Sequence, residues 1–232
     1  MQFKDQSKRK AITLSYDDGV VQDIRLVELL NKYGLKCTFN LNSQLFGRRG
    51  FIHADGRRVS QYRIQEEDIA TIYAGHEVAV HTLTHPLLTE LSEDALIYEV
   101  EQDRENLSRL VGYDVVGMAY PCGKIDDRVV DILRNKTGIR YSRTTMVTES
   151  FAPQKDLLRF QPNAHHLSFD YMTMLARRFL ESTDENPQIF YIWGHTYEMD
   201  YESENWSKLE QFFQFISGRD DVFYGTNAEV LL

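Results

Sequence analysis

The chain of 232 residues predicts an α/β fold in which parallel strands alternate with helices. Apolar runs of strand length recur along the chain, and most of them are followed by apolar residues at helical spacing. No internal repeat, low-complexity tract or credible linker interrupts this alternation, so residues 1–232 are expected to form one domain. Periodicity alone does not separate an open doubly wound sheet from a barrel.

The first half of the chain contains three predicted strands with helices between them. The strands are expected at 11–15, 36–41 and 77–81. The intervening helices, 21–33 and 65–73, are followed by glycines that stop them, Gly34 and Gly75. The segment 42–60 contains several Gly and Arg residues and is expected to form a long loop or small hairpin over the strand ends.

The second half continues the alternation. Ser92 is expected to begin a long helix that ends near residue 110, with acidic residues in its first turn. Further strands are predicted at 115–120, 138–143, 188–193 and 222–224. Further helices are predicted at 126–136, 168–181 and 206–216, the second of them capped by Ser168. The segment 144–163 contains two prolines, which predict irregular structure.

Composition and charge restrict the class of partner. With 26 basic and 35 acidic residues the net charge is −9, which argues against a nucleic-acid or anionic-membrane partner. No stretch approaches the ~20 apolar residues of a membrane span. Residues 1–10 lack the apolar core of a secretory signal, so a cytoplasmic location is expected if Met1 is native. Cys37 is expected to be a buried thiol, and no disulfide with Cys122 is expected.

Two polar motifs stand at the ends of predicted strands. Residues 15–19, Ser-Tyr-Asp-Asp-Gly, end the first strand, and residues 81–85, His-Thr-Leu-Thr-His, end the third. Two histidines at this spacing can present their imidazoles to one ion where a strand passes into a turn, and zinc and similar metals favour such ligands. Of two adjacent aspartates, one can bind the metal while the other remains free as a base. The two motifs together predict a metal centre.

These two motifs resemble those of a known family. Residues 15–19 are similar to the Thr-Phe-Asp-Asp-Gly motif of the polysaccharide deacetylases (NodB homology domain, carbohydrate esterase family 4). Residues 81–85 match the His-Ser/Thr-x-x-His motif of that family. The resemblance covers about 9–224 and implies a distorted (β/α) barrel of about seven parallel strands, with its site at the carboxyl ends of the strands.

The resemblance also implies which residues bind the metal and which residue acts as the base. Asp18, His81 and His85 are implied as ligands of one divalent ion, and Asp17 is implied as the general base. Zinc is the first expectation for that ion, with cobalt, nickel and manganese as alternatives. Such an ion would activate water and polarise the carbonyl during hydrolysis of an acetamide or acetyl ester.

A third motif departs from the family pattern. Residues 118–123, Met-Ala-Tyr-Pro-Cys-Gly, align with the family motif Phe-Arg-x-Pro-Tyr-Gly. The resemblance implies substrate contacts for Tyr120, Pro121 and Cys122. The backbone N–H of Cys122 would serve as an oxyanion donor, since a main-chain group survives a change of side chain. Ala119 stands where the family often has the arginine that orients the catalytic aspartate, and Arg143 is the candidate replacement, with Arg159 as the alternative.

A fourth motif supplies a candidate acid. Residues 192–195, Ile-Trp-Gly-His, resemble the family motif Leu-x-His, which implies that His195 is the general acid. Trp193 takes the leucine position and is expected either to wall the pocket for the acetyl methyl or to be a core aromatic. The family orients its histidine with an aspartate from an earlier motif that is not found here. Glu198 or Asp200 is the expected substitute.

Other aromatic and histidine side chains receive weaker assignments. The adjacent pair His165 and His166 is expected to face solvent. His53 lies in the segment 42–60, where a substrate contact is left open. Three aromatic residues after the acid motif are candidates for a sugar-stacking platform: Tyr197, Tyr201 and Trp206.

The leading functional prediction is a metal-dependent hydrolase that removes acetyl groups from an N- or O-acetylated carbohydrate. One alternative is a hydrolase of another small amide, such as a formamide or a cyclic amide. A second is a catalytically silent glycan-binding domain, suggested by Ala119 and Cys122. The complete set of candidate aspartates and histidines weighs against the silent domain. The sequence specifies neither the sugar nor the oligomeric state.

Overall fold

The computed structural model describes residues 3–54 and 56–232, which are built around a curled sheet of parallel strands. The strands in chain order are β1 (Lys10–Asp17), β2 (Cys37–Leu41), β3 (Arg49–Ala54), β4 (Arg57–Tyr62), β5 (Glu77–Val80), β6 (Gly117–Ala119), β7 (Tyr141–Arg143), β8 (Ala164–His165), β9 (Gln188–His195) and β10 (Val222–Tyr224). Seven of them follow the order β7-β6-β5-β2-β1-β9-β8, and β10 pairs with β1. The distorted (β/α) barrel of about seven parallel strands is therefore confirmed.

The strand β1 is the centre of the sheet. All eight of its residues are buried, as expected for a parallel strand that is covered on both faces. Its whole length pairs with β9, while its other edge pairs first with β10 and then with β2. The carboxyl end of β1 therefore lies between the ends of two neighbouring strands, where the sequence places its two aspartates.

Helices cover the curled sheet. They are α1 (Asp23–Lys32), α2 (Ile69–Ile72), α3 (Glu93–Val111), α4 (Asp127–Lys136), α5 (Phe169–Leu180), α6 (Asn205–Ile216) and α7 (Asn227–Leu231). The helix α3 begins where the Ser92 side chain accepts the N–H of Ala95, and it ends at Gly112 in the left-handed region. Among the described residues, none of these helices has the length and apolarity needed to span a membrane.

Four elements differ from the sequence prediction. The segment 65–73 forms a 3-10 turn followed by only one turn of α-helix, α2, rather than a continuous helix. The side chain of Ser168 makes no capping hydrogen bond at α5, so that prediction is wrong. The two-residue strand β8 and the short helix α7 were not predicted, because neither is long enough to show a period.

The segment 42–60 contains most of an antiparallel hairpin of β3 and β4, one of the two forms expected for it. After β4 the chain turns against the end of β1. The backbone N–H of Ile64 donates to the carbonyl of Gly19, and that of Val21 donates to the carbonyl of Tyr62. The hairpin is therefore fixed beside the aspartates at the rim of the sheet.

Candidate active site

The candidate catalytic residues meet at the carboxyl ends of neighbouring strands. Asp17 and His195 are the last residues of β1 and β9, and they are register partners in the parallel pair. His81 directly follows β5, and Arg143 ends β7. Because parallel strands end at one edge of a sheet, residues far apart in sequence come together there.

Four non-glycine residues of the described chain have a left-handed backbone, and all four belong to the turns at this rim. They are Asp18 (φ 85°), Thr82 (φ 66°), His85 (φ 64°) and Cys122 (φ 55°). This conformation is uncommon for residues with a side chain, and strained backbone is concentrated at functional sites. The turns thus direct side chains and backbone N–H groups where an extended strand would not.

Asp18, His81 and His85 form a group that can hold a metal ion. Their candidate donor atoms all lie within 4.8 Å of one another. The Nδ1–H of His81 donates to the carbonyl of Ala119 at 2.8 Å, which leaves Nε2 for the group. Burial lowers the pKa of His81 to about 4, so its imidazole is neutral and able to ligate. These residues fit a divalent ion.

Two residues of the hairpin region also reach Asp18, and no motif in the sequence pointed to them. The guanidinium of Arg63 contacts the carbonyl of Asp18 and lies 3.0 Å from its Oδ1. Gln61 Nε2 donates to Oδ2 at 3.1 Å. Burial opposes ionisation of Asp18, but Arg63 and the nearby histidines hold its pKa well below the ordinary value. Only the register of the hairpin would have indicated these two contacts.

Asp17 is held on both sides by hydrogen-bond donors. Asn40 Nδ2 donates to Oδ1 at 2.8 Å, and the Arg143 guanidinium donates to Oδ2. Burial opposes the charge on Asp17, but Arg143, His81 and His195 together outweigh it and lower the pKa of the carboxyl group. The Nε2 atom of His195 lies 3.9 Å from Oδ2. The site therefore has an ionised carboxylate facing an imidazole.

The position of Arg143 explains how the site is built around Ala119. These two residues are register partners on β6 and β7, so a side chain at either position starts from the same level of the sheet. Arg143 is 1% exposed, and its guanidinium lies 4.5 Å from the centre of the Trp193 ring. Arg159, the alternative, instead pairs with Asp127 at 2.6 Å on the surface.

Glu198 is the carboxylate beside His195. Its Oε2 lies 3.3 Å from His195 Nδ1 and accepts the backbone N–H of His195 at 3.0 Å. Burial disfavours the imidazolium of His195, but Glu198, with smaller contributions from Asp17 and Asp18, outweighs burial and raises the pKa of His195 to about 9. Asp200, the other sequence candidate, accepts hydrogen bonds from Gln22 and Trp206 instead, each at 2.8 Å.

The family of the chain follows from a match over more than half its length. Residues 4–142 match the family model described as polysaccharide deacetylase. The chain belongs to the polysaccharide deacetylase family. The motifs at 15–19 and 81–85, which carried the resemblance, lie inside the matched region.

Two curated polysaccharide deacetylase relatives are similar to part of the chain. Chitin deacetylase 1 of Cryptococcus neoformans is 27% identical over 157 residues, which are 67% of this chain and 29% of the relative. A peptidoglycan-N-acetylmuramic acid deacetylase of Bacillus subtilis is 28% identical over 123 residues, 52% of this chain and 23% of the relative. The chain thus spans less than a third of the length of these relatives.

Solved structures of carbohydrate esterase family 4 share the fold. One is a mutant, with restored enzymatic activity, of a pseudoenzyme from Bacillus anthracis. It has a TM-score of 0.60 and 18% identity, with 97% of this chain and 68% of that chain covered. The peptidoglycan deacetylase of Bacillus subtilis has a TM-score of 0.57 and 17% identity, with 96% and 90% covered.

Several sequence expectations for this member of the family need correction. His165 and His166 do not face solvent as a pair: His166 is fully buried, and both lie within 3.1 Å of Glu198 Oε2. Tyr197 and Trp206 are each only 7% exposed, so they do not form a sugar-stacking platform. The sequence did not suggest the burial of His166, because a histidine that follows a two-residue strand resembles part of a polar loop.

The predicted substrate contacts differ in their access to solvent. Tyr120 is buried and its hydroxyl donates to the carbonyl of Leu158 at 2.7 Å, and Pro121 is also buried. Cys122 is an exposed free thiol and Trp193 is half-buried beside His195. Cys122 and Trp193 therefore present side-chain surface to the rim, whereas Tyr120 and Pro121 do not. His53 is exposed on β3, and Cys37 is a buried free thiol as predicted.

Proposed function

We propose that this chain is a metal-dependent hydrolase that removes acetyl groups from an N- or O-acetylated carbohydrate. The observation that carries the proposal is the position of Asp17. It lies between an orienting arginine and an imidazole with a raised pKa, next to a separate group of three potential metal ligands. An ionised base, a protonated acid and a metal group in one cleft are the parts that amide or ester hydrolysis needs.

Asp18, His81 and His85 would hold the metal ion, with zinc as the first candidate and cobalt, nickel or manganese as alternatives. One carboxylate and two imidazoles leave coordination positions open, as in catalytic rather than structural zinc sites. When bound, the ion would lower the pKa of a water molecule and polarise the acetyl carbonyl. The hydrogen bond from His81 to Ala119 fixes the ring for this purpose.

Asp17 would act as the general base. Its carboxylate takes a proton from the water that attacks the acetyl carbon, while Arg143 and Asn40 keep it ionised and oriented. The backbone N–H of Cys122, in its left-handed turn, would donate to the oxygen that becomes negative. Trp193 would contact the acetyl methyl.

His195 would act as the general acid. With a pKa of about 9 it is protonated at neutral pH, and its Nε2–H can protonate the departing amine or alcohol. After this step Asp17 carries a proton and His195 lacks one. Their atoms are 3.9 Å apart, so a proton passed from Asp17 to His195 restores the starting state.

The test is acetate release from a panel of acetylated sugar oligomers, including the chitin and peptidoglycan fragments named by the relatives. Wild-type protein is expected to release acetate, and a chelator or Asp18→Asn is expected to abolish the release. Cleavage of formamides or cyclic amides alone would support the small-amide hydrolase. Binding of oligomers with no cleavage, with metal bound, would support the silent glycan-binding domain.

A further inference from the structure

A second group of potential metal ligands lies on the far side of His195 from Asp17. It consists of His165, His195 and Glu198, whose donor atoms all lie within 4.8 Å of one another. Glu198 Oε2 is 3.1 Å from His165 Nε2 and 3.3 Å from His195 Nδ1. We propose that these three residues form a second, weaker zinc site, separate from the group of Asp18, His81 and His85.

The spacing of these atoms fits a zinc ion. Zinc bonds of ~2.0–2.1 Å in a tetrahedral arrangement place neighbouring donor atoms about 3.4 Å apart. The two measured distances to Glu198 Oε2 are close to that value. Two imidazoles and one carboxylate are also a donor set that zinc accepts, with one position left for water.

The ring nitrogens of His195, His165 and His166 differ in how they contact Glu198. His195 Nδ1 is buried and, within the described chain, has no hydrogen-bond partner, although Glu198 is 3.3 Å away. His165 Nε2 lies 3.1 Å from the same oxygen, to which His166 Nε2–H donates at 2.7 Å. A buried ring nitrogen that lies close to a carboxylate oxygen without being aligned for a hydrogen bond can bind a metal ion that also contacts that oxygen.

His166 prepares Glu198 for this role. It is fully buried, and its Nδ1 accepts the hydroxyl of Tyr16 at 3.2 Å while Nε2–H donates to Glu198. A buried donor behind a ligating carboxylate fixes its orientation, as second-sphere partners do at metal sites. Zinc at His165 Nε2 would move the proton of that ring to Nδ1 and end a contact from Leu167 N–H. That contact is 3.4 Å long, beyond the normal range, so little is lost.

The second ion would act on the first site through His195. Zinc on Nδ1 excludes the proton from that atom, so the ring cannot form the imidazolium that serves as the general acid. The carboxylate of Glu198 would then bind the zinc ion and would no longer stabilise a proton on His195. Excess zinc is therefore expected to inhibit turnover, and this consequence, unlike the binding itself, rests on the proposed function.

The binding test measures zinc per chain. Protein stripped of metal is dialysed against a series of free zinc concentrations, and bound zinc is determined by elemental analysis. Wild type is expected to bind two ions and His165→Ala one, with His165→Gln as a second variant. Asp18→Asn is expected to keep only the weaker site, and His53→Ala, which changes an exposed histidine outside both groups, is expected to bind two. The inference is overturned if wild type saturates at one ion, or if both His165 variants bind as much zinc as wild type.

Activity separates this inference from the proposed function. Wild type is expected to lose turnover severalfold as zinc rises above one equivalent, whereas His165→Ala keeps its turnover. If the enzyme is active but binds only one ion, the second zinc site is contradicted and the proposed function is unaffected. If the protein binds two ions but cleaves no acetylated sugar, the proposed function is contradicted and the second zinc site stands.

Discussion

Asp17 and Asp18 are adjacent, but their surroundings differ. Asp17 ends β1 with its carboxylate between Asn40 and Arg143. Asp18 has a left-handed backbone (φ 85°), and its carboxylate lies in the group with the two histidines of the second motif. The turn therefore separates the two carboxylates, which gives a physical basis for one base and one ligand.

Replacing Asp17 tests this division. Asp17→Asn is expected to keep the metal content and to lower turnover by ~10²–10⁴-fold, the contribution of a positioned base. Bound metal and acetate release are measured on the same preparation. Loss of metal together with activity would show that the two aspartates exchange or share their roles.

Arg143 is expected to support the base rather than the metal. Arg143→Ala should lower turnover by roughly tenfold to a hundredfold, as second-sphere losses do, with the metal content intact. Arg159→Ala is the control, because its guanidinium pairs with Asp127 and Asp156 on the surface. Circular dichroism of both variants checks folding, since Arg143 is buried. A silent Arg143→Ala beside a crippled Arg159→Ala would move the assignment to Arg159.

The pH dependence of activity should report the pair of Glu198 and His195. The pKa of His195 is raised to about 9, so the acid is present below that pH and is lost as pH rises through it. Glu198→Gln removes the largest of the carboxylate contributions that raise the pKa of His195, while burial still lowers it, so the alkaline limb of kcat/KM should move to lower pH. Glu202→Gln, at a surface ion pair, is the matched control. An alkaline limb at the same pH in both variants would contradict the pairing.

At the scale of elements, the sequence predicts what is long or periodic. The long buried strands β1 and β9 and the helices α3, α4 and α6 come close to their predicted bounds, since their apolar runs exceed a full period. Residues placed at the ends of such strands converge, because parallel strands share one edge. Asp17 and His195 were therefore predictable neighbours.

The unpredicted parts of the site come from short or irregular elements. His166 follows β8, a strand of two residues, and Arg63 reaches Asp18 only because the hairpin is fixed against β1. Neither position has a local signal: His166 depends on a strand with only two pairs of register partners, and Arg63 depends on tertiary contacts. Tertiary packing here overrides what a polar segment alone indicates.

The packing of β8 against β9 can be tested at Gly194. A Cβ added there would lie 2.3 Å from the His166 ring, which is held by Glu198 and Tyr16. Gly194→Ala is therefore expected to destabilise the fold by ~1–3 kcal/mol, the usual effect of overpacking. Urea unfolding measures it. Gly50→Ala, where the added Cβ meets nothing closer than 3.7 Å, is the control, and equal midpoints for the two variants would contradict the expectation.

At the scale of the molecule, the candidate metal ligands come from distant parts of the chain. Asp18 follows β1 and His81 follows β5, with β2 between these strands in the sheet. A ligand that binds only the folded state stabilises it by about 2.7 kcal/mol at one hundred times its Kd. For a chain of this size that corresponds to a rise in Tm of roughly 5–10 °C.

Thermal unfolding with and without chelator measures this stabilisation. His165→Ala is the suitable background, since it isolates the group of Asp18, His81 and His85 from the second proposed site. Zinc should raise the Tm of this variant, and chelator should reverse the rise. Adding Asp18→Asn should remove the response to zinc, and a rise that persists in the double variant would place the stabilising ion elsewhere.

The register pairing of Ala119 with Arg143 bears on how relatives are classified. A motif search compares residue types at fixed positions of the sequence. It would score this chain as lacking the motif arginine at residue 119. What matters for Asp17 is a positive charge next to its carboxylate. Arg143 on β7, the register partner of Ala119, provides that charge. A chain classified as inactive because it lacks the motif arginine can therefore have an arginine on the neighbouring strand that places the same charge beside the aspartate.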